Sequence, residues 1–316
     1  MCIRDRDPFW HLITDPSIEK IVHCGIQDLE PAYRHTGRPP ANIYDTQIAA
    51  AFMGAGYPRG LASMVEEFID IQLPHEMKFT QWDTRPLSAR QLIYAANDVR
   101  YLHLLRQKVA QRLSSSDQSR WAAEQTEGLC SAEAYRFDVQ NEKLMRRATG
   151  GLGRLERQGL EDLIAWRDAT AREEDGPTRS RIRDTVLLDM CRHPLHTVED
   201  LREVRGLPRP VIRHCAEALL HVVEGAQRRS GPPVERQRPI PPELRPQFNQ
   251  MWQQIRNYCE ENGIDPAVVA NKQHVVTYFK NILQGGSNAD GPMQTGWRRE
   301  LLGPLLDHWY DLLRHE

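Results

Sequence analysis

The rhythm of apolar positions changes near residue 114. Before it, short apolar pairs alternate with helical stretches. Ile21-Val22 and Ile43-Tyr44 read as buried strands, each followed at once by a helix. Asp7-Pro8 opens a helix ahead of the first strand. The helix after that strand carries Asp28 and stops at Gly37, before Pro39-Pro40. Asp45 caps a helix from Thr46 to Met53, and Leu61, Met64, Val65 and Phe68 have helical spacing. Ser88 and Gln91 form a capping-box pattern, predicting a long helix with Leu92, Ala96, Val99, Leu102 and Val109 along one face.

Beyond Ser114-Ser115-Ser116 the strand signals cease. A polar helical linker is predicted over 114–153, then two helical blocks, 154–229 and 243–316, separated by Gly231-Pro232-Pro233 and Pro239 to Pro242. The first block carries Leu160, Leu163, Ile164 and Ala171 on one helix, a turn at Asp175-Gly176-Pro177, and Val186, Leu187 and Met190 on the next. Thr197 and Asp200 cap a further helix. The second block has Phe248, Trp252 and Ile255 on one face, a stop at Gly263, a restart at Pro266 and a closing helix after Gly296-Trp297-Arg298. The predicted fold is mostly α, with an α/β unit before residue 114.

Composition narrows the class. A chain of 316 residues, 40% hydrophobic and 27% charged, is long enough for two or three domains. Its longest apolar stretch, Ile48 to Ala55, is far short of the roughly 20 residues of a membrane span. The six cysteines are scattered without a C-x-x-C pair, which predicts reduced thiols in a cytoplasmic protein. A net charge of −2 neither favours nor excludes nucleic acid, because a polyanion needs a local basic face. Arg179, Arg181 and Arg183, or Arg202, Arg205, Arg209 and Arg213, could supply one, although each run also fits a solvated helix face.

The candidate chemistry begins with Tyr94 and Asp98, four apart and therefore on one helix face. A carboxylate there can ligate a hard divalent cation, and a phenol one turn away can hold a water beside it. On spacing alone such a pair is common, and a surface Asp with a packed Tyr is the more frequent arrangement. The flanks change this. Trp82-Asp-Thr-Arg85-Pro86-Leu87-Ser88-x-x-Gln91-x-x-Tyr94-Ala95-Ala96-Asn97-Asp98-Val99-Arg100-Tyr101-Leu102 closely resembles the third exonuclease motif of the ribonuclease D family. His23-Cys24-Gly25-x-x-Asp28-Leu29-Glu30 resembles its second, and Asp45-Thr46-Gln47 and Leu61-Ala62-Ser63-Met64-Val65 fall between them in family order. The two tail blocks resemble tandem helicase-and-ribonuclease-D C-terminal (HRDC) domains. Trp166-Arg167 marks the first, and Gly296-Trp297-Arg298 the close of a more divergent second. Both tryptophans are expected to be structural. His75 stands where the family often has Lys.

The resemblance implies a DEDD-type 3′–5′ exoribonuclease of the Tyr subclass. Its exonuclease domain (7–113) would be the C-terminal part of an RNase H-like (DnaQ-like) α/β fold, ahead of HRDC domains at 154–229 and 243–316. Two Mg²⁺ or Mn²⁺ ions would be the cofactors. Asp98 would ligate the metal that activates water, Tyr94 would orient that water, and Asp28 would support the second metal through coordinated water. RNA, and by family habit tRNA precursors with 3′ extensions, would be the partner of a monomeric enzyme; no RNA-contacting residue is singled out. The family's first motif, D-x-E, does not occur before Asp28. Met1-Cys2-Ile3-Arg4-Asp5-Arg6 reads as a translated sequencing adapter, so the native protein is expected to begin upstream of Asp7, and the chain as given to be a catalytically incomplete part of an enzyme. Two other readings stay open: a DNA exonuclease of the same superfamily and a non-catalytic RNA-binding protein. A RecQ-type helicase tail fails for want of a P-loop.

Overall fold

A computed structural model describes residues 7–74, 80–82, 84–113, 116–135, 154–173, 181–193, 195–228, 240–286 and 291–315. Expectations placed on Met1 to Arg6, His75, Asp175-Gly176-Pro177 and Gly231-Pro232-Pro233 lie outside the described residues. The described residues fall into two compact units, one formed by 1–135 with 239–316 and the other by 136–238.

In the first unit, the apolar pairs form strands as predicted, although Ile21, Val22, Ile43 and Tyr44 are half-buried rather than buried. β1 (Lys20–Val22) and β2 (Ile43–Asp45) run parallel, with Ile21 opposite Tyr44 and Val22 opposite Asp45. A parallel pair needs a crossover, which α2 (Ile26–Thr36) supplies. Gly37 ends that helix at a φ of 67°, its N–H donating to the Tyr33 carbonyl. α1 (Asp7–Thr14) precedes β1, and α3 (Thr46–Ala51) follows β2 without a loop. α4 (Leu61–Ile69) buries Met64, Val65 and Phe68, three of the four residues its spacing singled out, while Leu61 is half-buried.

One predicted helix is two. α5 (Ala89–Arg100) starts with the expected capping box: Ser88 Oγ accepts from the Gln91 N–H, and the Gln91 side chain accepts from the Ser88 N–H. Tyr101, at φ −100° and ψ −4°, then separates it from α6 (Leu102–Arg112). The break uncouples the helical phase of the halves, so no single apolar face runs through both. Leu102, Leu105 and Val109 are buried, whereas Leu92 and Val99 are 55% and 63% exposed.

The C-terminal helices complete this unit. α7 (Ser116–Glu127), within the predicted polar linker, packs on α3 and buries Ala122 and Thr126. In unit 2, α8 (Arg154–Glu173), α9 (Asp184–Met190), α10 (Val198–Glu203) and α11 (Arg209–Arg228) form a bundle. Back in unit 1, α12 (Arg245–Glu261), α13 (Pro266–Val269), α14 (Lys272–Leu283) and α15 (Gly296–His315) follow. Their core is continuous with that of the exonuclease-like segment: Ala49, Phe52, Met64 and Leu105 belong to one cluster with Phe248, Phe279, Trp297 and Trp309. The Trp297 ring meets Phe52 edge-on at 4.8 Å between centroids, and its Nε1–H donates to Gln125 at 3.2 Å. Its backbone N–H donates to Glu124 at 2.9 Å. Gly296 permits this approach at a φ of 56°, because a Cβ there would lie 2.1 Å from Glu124 Oε1.

The bundle of unit 2 encloses a separate core of Leu160, Leu163, Ile164, Val186, Leu187, Met190, Leu201 and Leu219. Arg167, 3% exposed, donates to the Ile182 carbonyl at 3.0 Å and to Asp184 at 2.8 Å, tying α8 to the start of α9. Among the described residues no helix is long and apolar enough to cross a membrane.

A shared core makes a specific demand on stability. Trp297→Ala should cost about 3–5 kcal/mol, the range for deleting a large buried ring. Hydrogen exchange should then show protection falling in α3 and α4 as well as in α15. Loss confined to α15 would mean that the two halves have independent cores.

Candidate active site

Parallel strands bring two strand-to-helix turns to the same end of the sheet, and the candidate residues lie there. β1 leads into His23-Cys24-Gly25, and α2 begins at Ile26. The turn is too tight for any other residue at Gly25, where a Cβ would sit 2.5 Å from the Val22 side chain. Asp45 holds it. Its carboxylate accepts the N–H groups of Cys24 and Gly25 at 3.1 and 3.0 Å, and those of Gln47 and Ile48 at 2.9 and 3.4 Å. At 2% exposure, Asp45 thus joins the start of α2 to the start of α3. The cap on α3 contributes about 1 kcal/mol. The Gly25 N–H, left buried and unpaired, would cost about 1–3 kcal/mol more.

His23 fixes the same corner from the other side. Its Nε2 lies 2.8 Å from the Arg59 carbonyl and its Nδ1 2.9 Å from the Thr46 hydroxyl, which itself donates to the Val22 carbonyl at 3.0 Å. Burial lowers the His23 pKa, favouring the neutral imidazole. The Gln47 side chain donates to the same carbonyl at 2.7 Å, so the loop before α4 is tied to both turns.

Asp28 stands in the first turn of α2, and α5 presents Tyr94 and Asp98. The fold brings the three predicted residues into one electrostatic neighbourhood. Asp98 is held above the ordinary carboxylate range, first by loss of water and then by the Asp28 carboxylate. Asp28 is raised by burial and by Asp45 behind it. Tyr94 is raised by burial and by Asp98. Its ring leans on Trp82, with centroids 5.9 Å apart. Asp28 and Asp98 both reach solvent, and neither forms an ion pair among the described residues.

Two close carboxylates without a cationic partner suit a divalent cation, which would favour their charged forms. Among the described residues no group of three or more His, Cys, Asp or Glu side chains converges as metal ligands. Sequence reasoning put forward Asp28, Tyr94 and Asp98 as site residues and read Asp45 as a helix cap within a family string, without its bonds to the first turn. Its place in the string Asp45-Thr46-Gln47, directly after a strand, was the available signal.

The chain is similar to known proteins and to two family models. A family model described as 3′–5′ exonuclease matches residues 3–114, and one described as HRDC domain matches residues 156–223. The chain is similar to ribonuclease D of Pseudomonas paraeruginosa, with 29% identity over 97% of this chain and 82% of that one. Ribonuclease D of Sphingobium indicum is 34% identical over 64% of this chain and 52% of its own length. Among solved structures, Escherichia coli RNase D, described as an exoribonuclease involved in structured RNA processing, matches with a TM-score of 0.75 at 27% identity. That match covers 98% of this chain and 83% of the other.

The raised carboxylates make a prediction with a definite sign. A carboxyl whose folded pKa lies above its unfolded value favours folding at low pH, and this contribution is lost as pH rises through the folded pKa. Asp98→Asn removes the charged form and should raise the thermal midpoint at pH 7 in EDTA, with the difference shrinking towards pH 3. Added Mn²⁺ should stabilise the wild type more than the variant. A variant less stable than wild type at pH 7 in EDTA would show that Asp98 is not under electrostatic strain.

Proposed function

The chain is a homologue of ribonuclease D that carries a 3′–5′ exonuclease domain and an HRDC domain, and from this premise we propose that it removes nucleotides one at a time from RNA 3′ ends. The observation that carries the proposal is the electrostatic influence of Asp28 on Asp98 from an element far away in sequence, with Tyr94 one turn from Asp98 on the same helix. Exonucleases of this kind depend on metal ions; the ions proposed here are two Mg²⁺ or Mn²⁺. When bound, such cations supply a water nucleophile and neutralise charge building on the phosphate.

The chain's own residues have distinct tasks. Asp98 would hold one cation directly, and Asp28 would support the other through water. The Tyr94 hydroxyl, one helical turn from Asp98, would orient the attacking water. Asp45 and Gly25 position Asp28 without touching the reacting atoms. The substrates proposed are tRNA precursors with 3′ extensions, handled by a cytoplasmic monomer. Residues 243–316 are proposed as a second, divergent HRDC-like domain, supported by the Gly296-Trp297-Arg298 ending.

The test uses full-length protein and a 5′-labelled hairpin RNA with a single-stranded 3′ extension. With Mg²⁺ or Mn²⁺, the label should move through a ladder of products shortened from the 3′ end, and EDTA should stop it. Asp98→Asn should abolish shortening, and Tyr94→Phe should slow it by roughly 10²-fold or more, as for loss of a group that positions a proton. Shortening of DNA in preference to RNA, or normal turnover by Asp98→Asn, would overturn the reading.

A further inference from the structure

Tyr94 is half-buried on α5 and, among the described residues, belongs to neither hydrophobic core. Its hydroxyl forms no hydrogen bond among those residues, so no polar partner fixes the phenol either. A group that orients a water has to hold its own direction, because a misplacement of about 1 Å at a reacting centre costs roughly 10²-fold in rate. Among the described residues one ring meets Tyr94, that of Trp82, tilted at 51° with centroids 5.9 Å apart. Trp82 is itself 40% exposed and lies in neither core. Its place is set instead by the backbone on either side.

Gln91 holds that backbone. It is the third residue of α5, only 6% exposed, and its side chain bonds in two directions. Towards the helix, Oε1 accepts the Ser88 N–H at 2.8 Å and completes the capping box. Away from it, Nε2 donates to the Thr80 hydroxyl and to the Gln81 carbonyl, each at 3.0 Å. Trp82 follows directly, and its carbonyl accepts from Arg85 at 2.6 Å. A cap needs only the acceptor oxygen. The two donor bonds do something further: they tie the strip 80–82 to the helix that carries Tyr94. Gln91 and Tyr94 are three apart and so neighbours on one face of that helix, which sets the strip beside the phenol.

We propose that Gln91 is a positioning residue: by holding Trp82 against Tyr94 it fixes the direction of the Tyr94 hydroxyl. The proposal rests on the exoribonuclease reading for the reaction that this hydroxyl serves. Gln91 touches none of the reacting atoms, and its effect passes through the indole ring to the phenol.

The test compares variants of the full-length protein. Gln91→Glu keeps the acceptor for the Ser88 N–H but sets a carboxylate oxygen against the Gln81 carbonyl, releasing the strip. Thr80→Val removes one of the two acceptors more gently. Trp82→Ala removes the ring at an exposed site. Ser88→Ala weakens the cap and leaves both donor bonds of Gln91 in place. Fluorine NMR of protein carrying meta-fluorotyrosine reports on Tyr94, whose resonance is the one that Tyr94→Phe removes. That resonance should move in Gln91→Glu towards its position in Trp82→Ala, move less in Thr80→Val, and stay at the wild-type position in Ser88→Ala.

In metal-dependent shortening of the 3′-extended hairpin RNA, Gln91→Glu and Trp82→Ala should each lower kcat by about tenfold and leave KM within about twofold. Trp82→Phe should recover most of the rate. In a Tyr94→Phe background Gln91→Glu should cause no further loss, since the hydroxyl it acts through is already gone. An unmoved resonance in Gln91→Glu would overturn the proposal. So would an equal shift in Ser88→Ala, which would reduce Gln91 to a helix cap, or a further loss in the Tyr94→Phe background. If wild type leaves RNA uncut while the resonance responds as described, the positioning of the phenol stands and the exoribonuclease reading falls.

Discussion

Backbone N–H groups at the starts of two helices need acceptors, and in this protein one buried carboxylate meets the need for both. Asp45 closes β2, and the parallel register that sets it opposite Val22 puts it beside the exit of β1. From there it accepts from Cys24 and Gly25 on one side and from Gln47 and Ile48 on the other. The direction in which α2 leaves the sheet follows from those bonds, and with it the position of Asp28. Parallel strands place such turns at their C-terminal ends, where α/β proteins commonly hold their ligands. Fold and candidate chemistry therefore share one constraint, and the elevated Asp98 is its electrostatic consequence.

Support for that corner comes from distant parts of the chain. Trp297 packs on Phe52 just beyond the end of α3, and Arg298 donates to the carbonyls of Val269 and Val268 at 2.7 and 3.1 Å. The Asp265 N–H also donates to the Ala51 carbonyl, at 2.8 Å. The last helices thus act as a buttress for α3 rather than as an appendage. Unit 2 has its own core and a different chemistry, with cationic side chains on its surface instead of paired carboxylates.

Much of this was legible in the order of residues because the relevant physics is local. Ile21-Val22 and Ile43-Tyr44 pair as strands, Ser88 with Gln91 and Thr197 with Asp200 cap helices, and the Asp28 and Tyr94–Asp98 motifs lie on the helices assigned to them. What escaped notice depends on contacts between distant segments. Two of the donors to Asp45 lie 20 and 21 residues before it, so its second task is invisible in a local window. The break at Tyr101 carries no Gly or Pro, and the predicted stripe therefore ran through it. The union of 7–135 with 240–315 rests on pairs such as Phe52 with Trp297, which no periodicity reveals.

The central claim is that the fold presses Asp28 and Asp98 into one electrostatic site. Carbon-detected NMR titration of the Asp98 carboxyl in EDTA, in wild type and in Asp28→Asn, tests it most directly. The account predicts a wild-type pKa above the ordinary value of about 3.9 that falls when Asp28 is neutralised. An Asp98 pKa that is ordinary in wild type, or unmoved by Asp28→Asn, would contradict it.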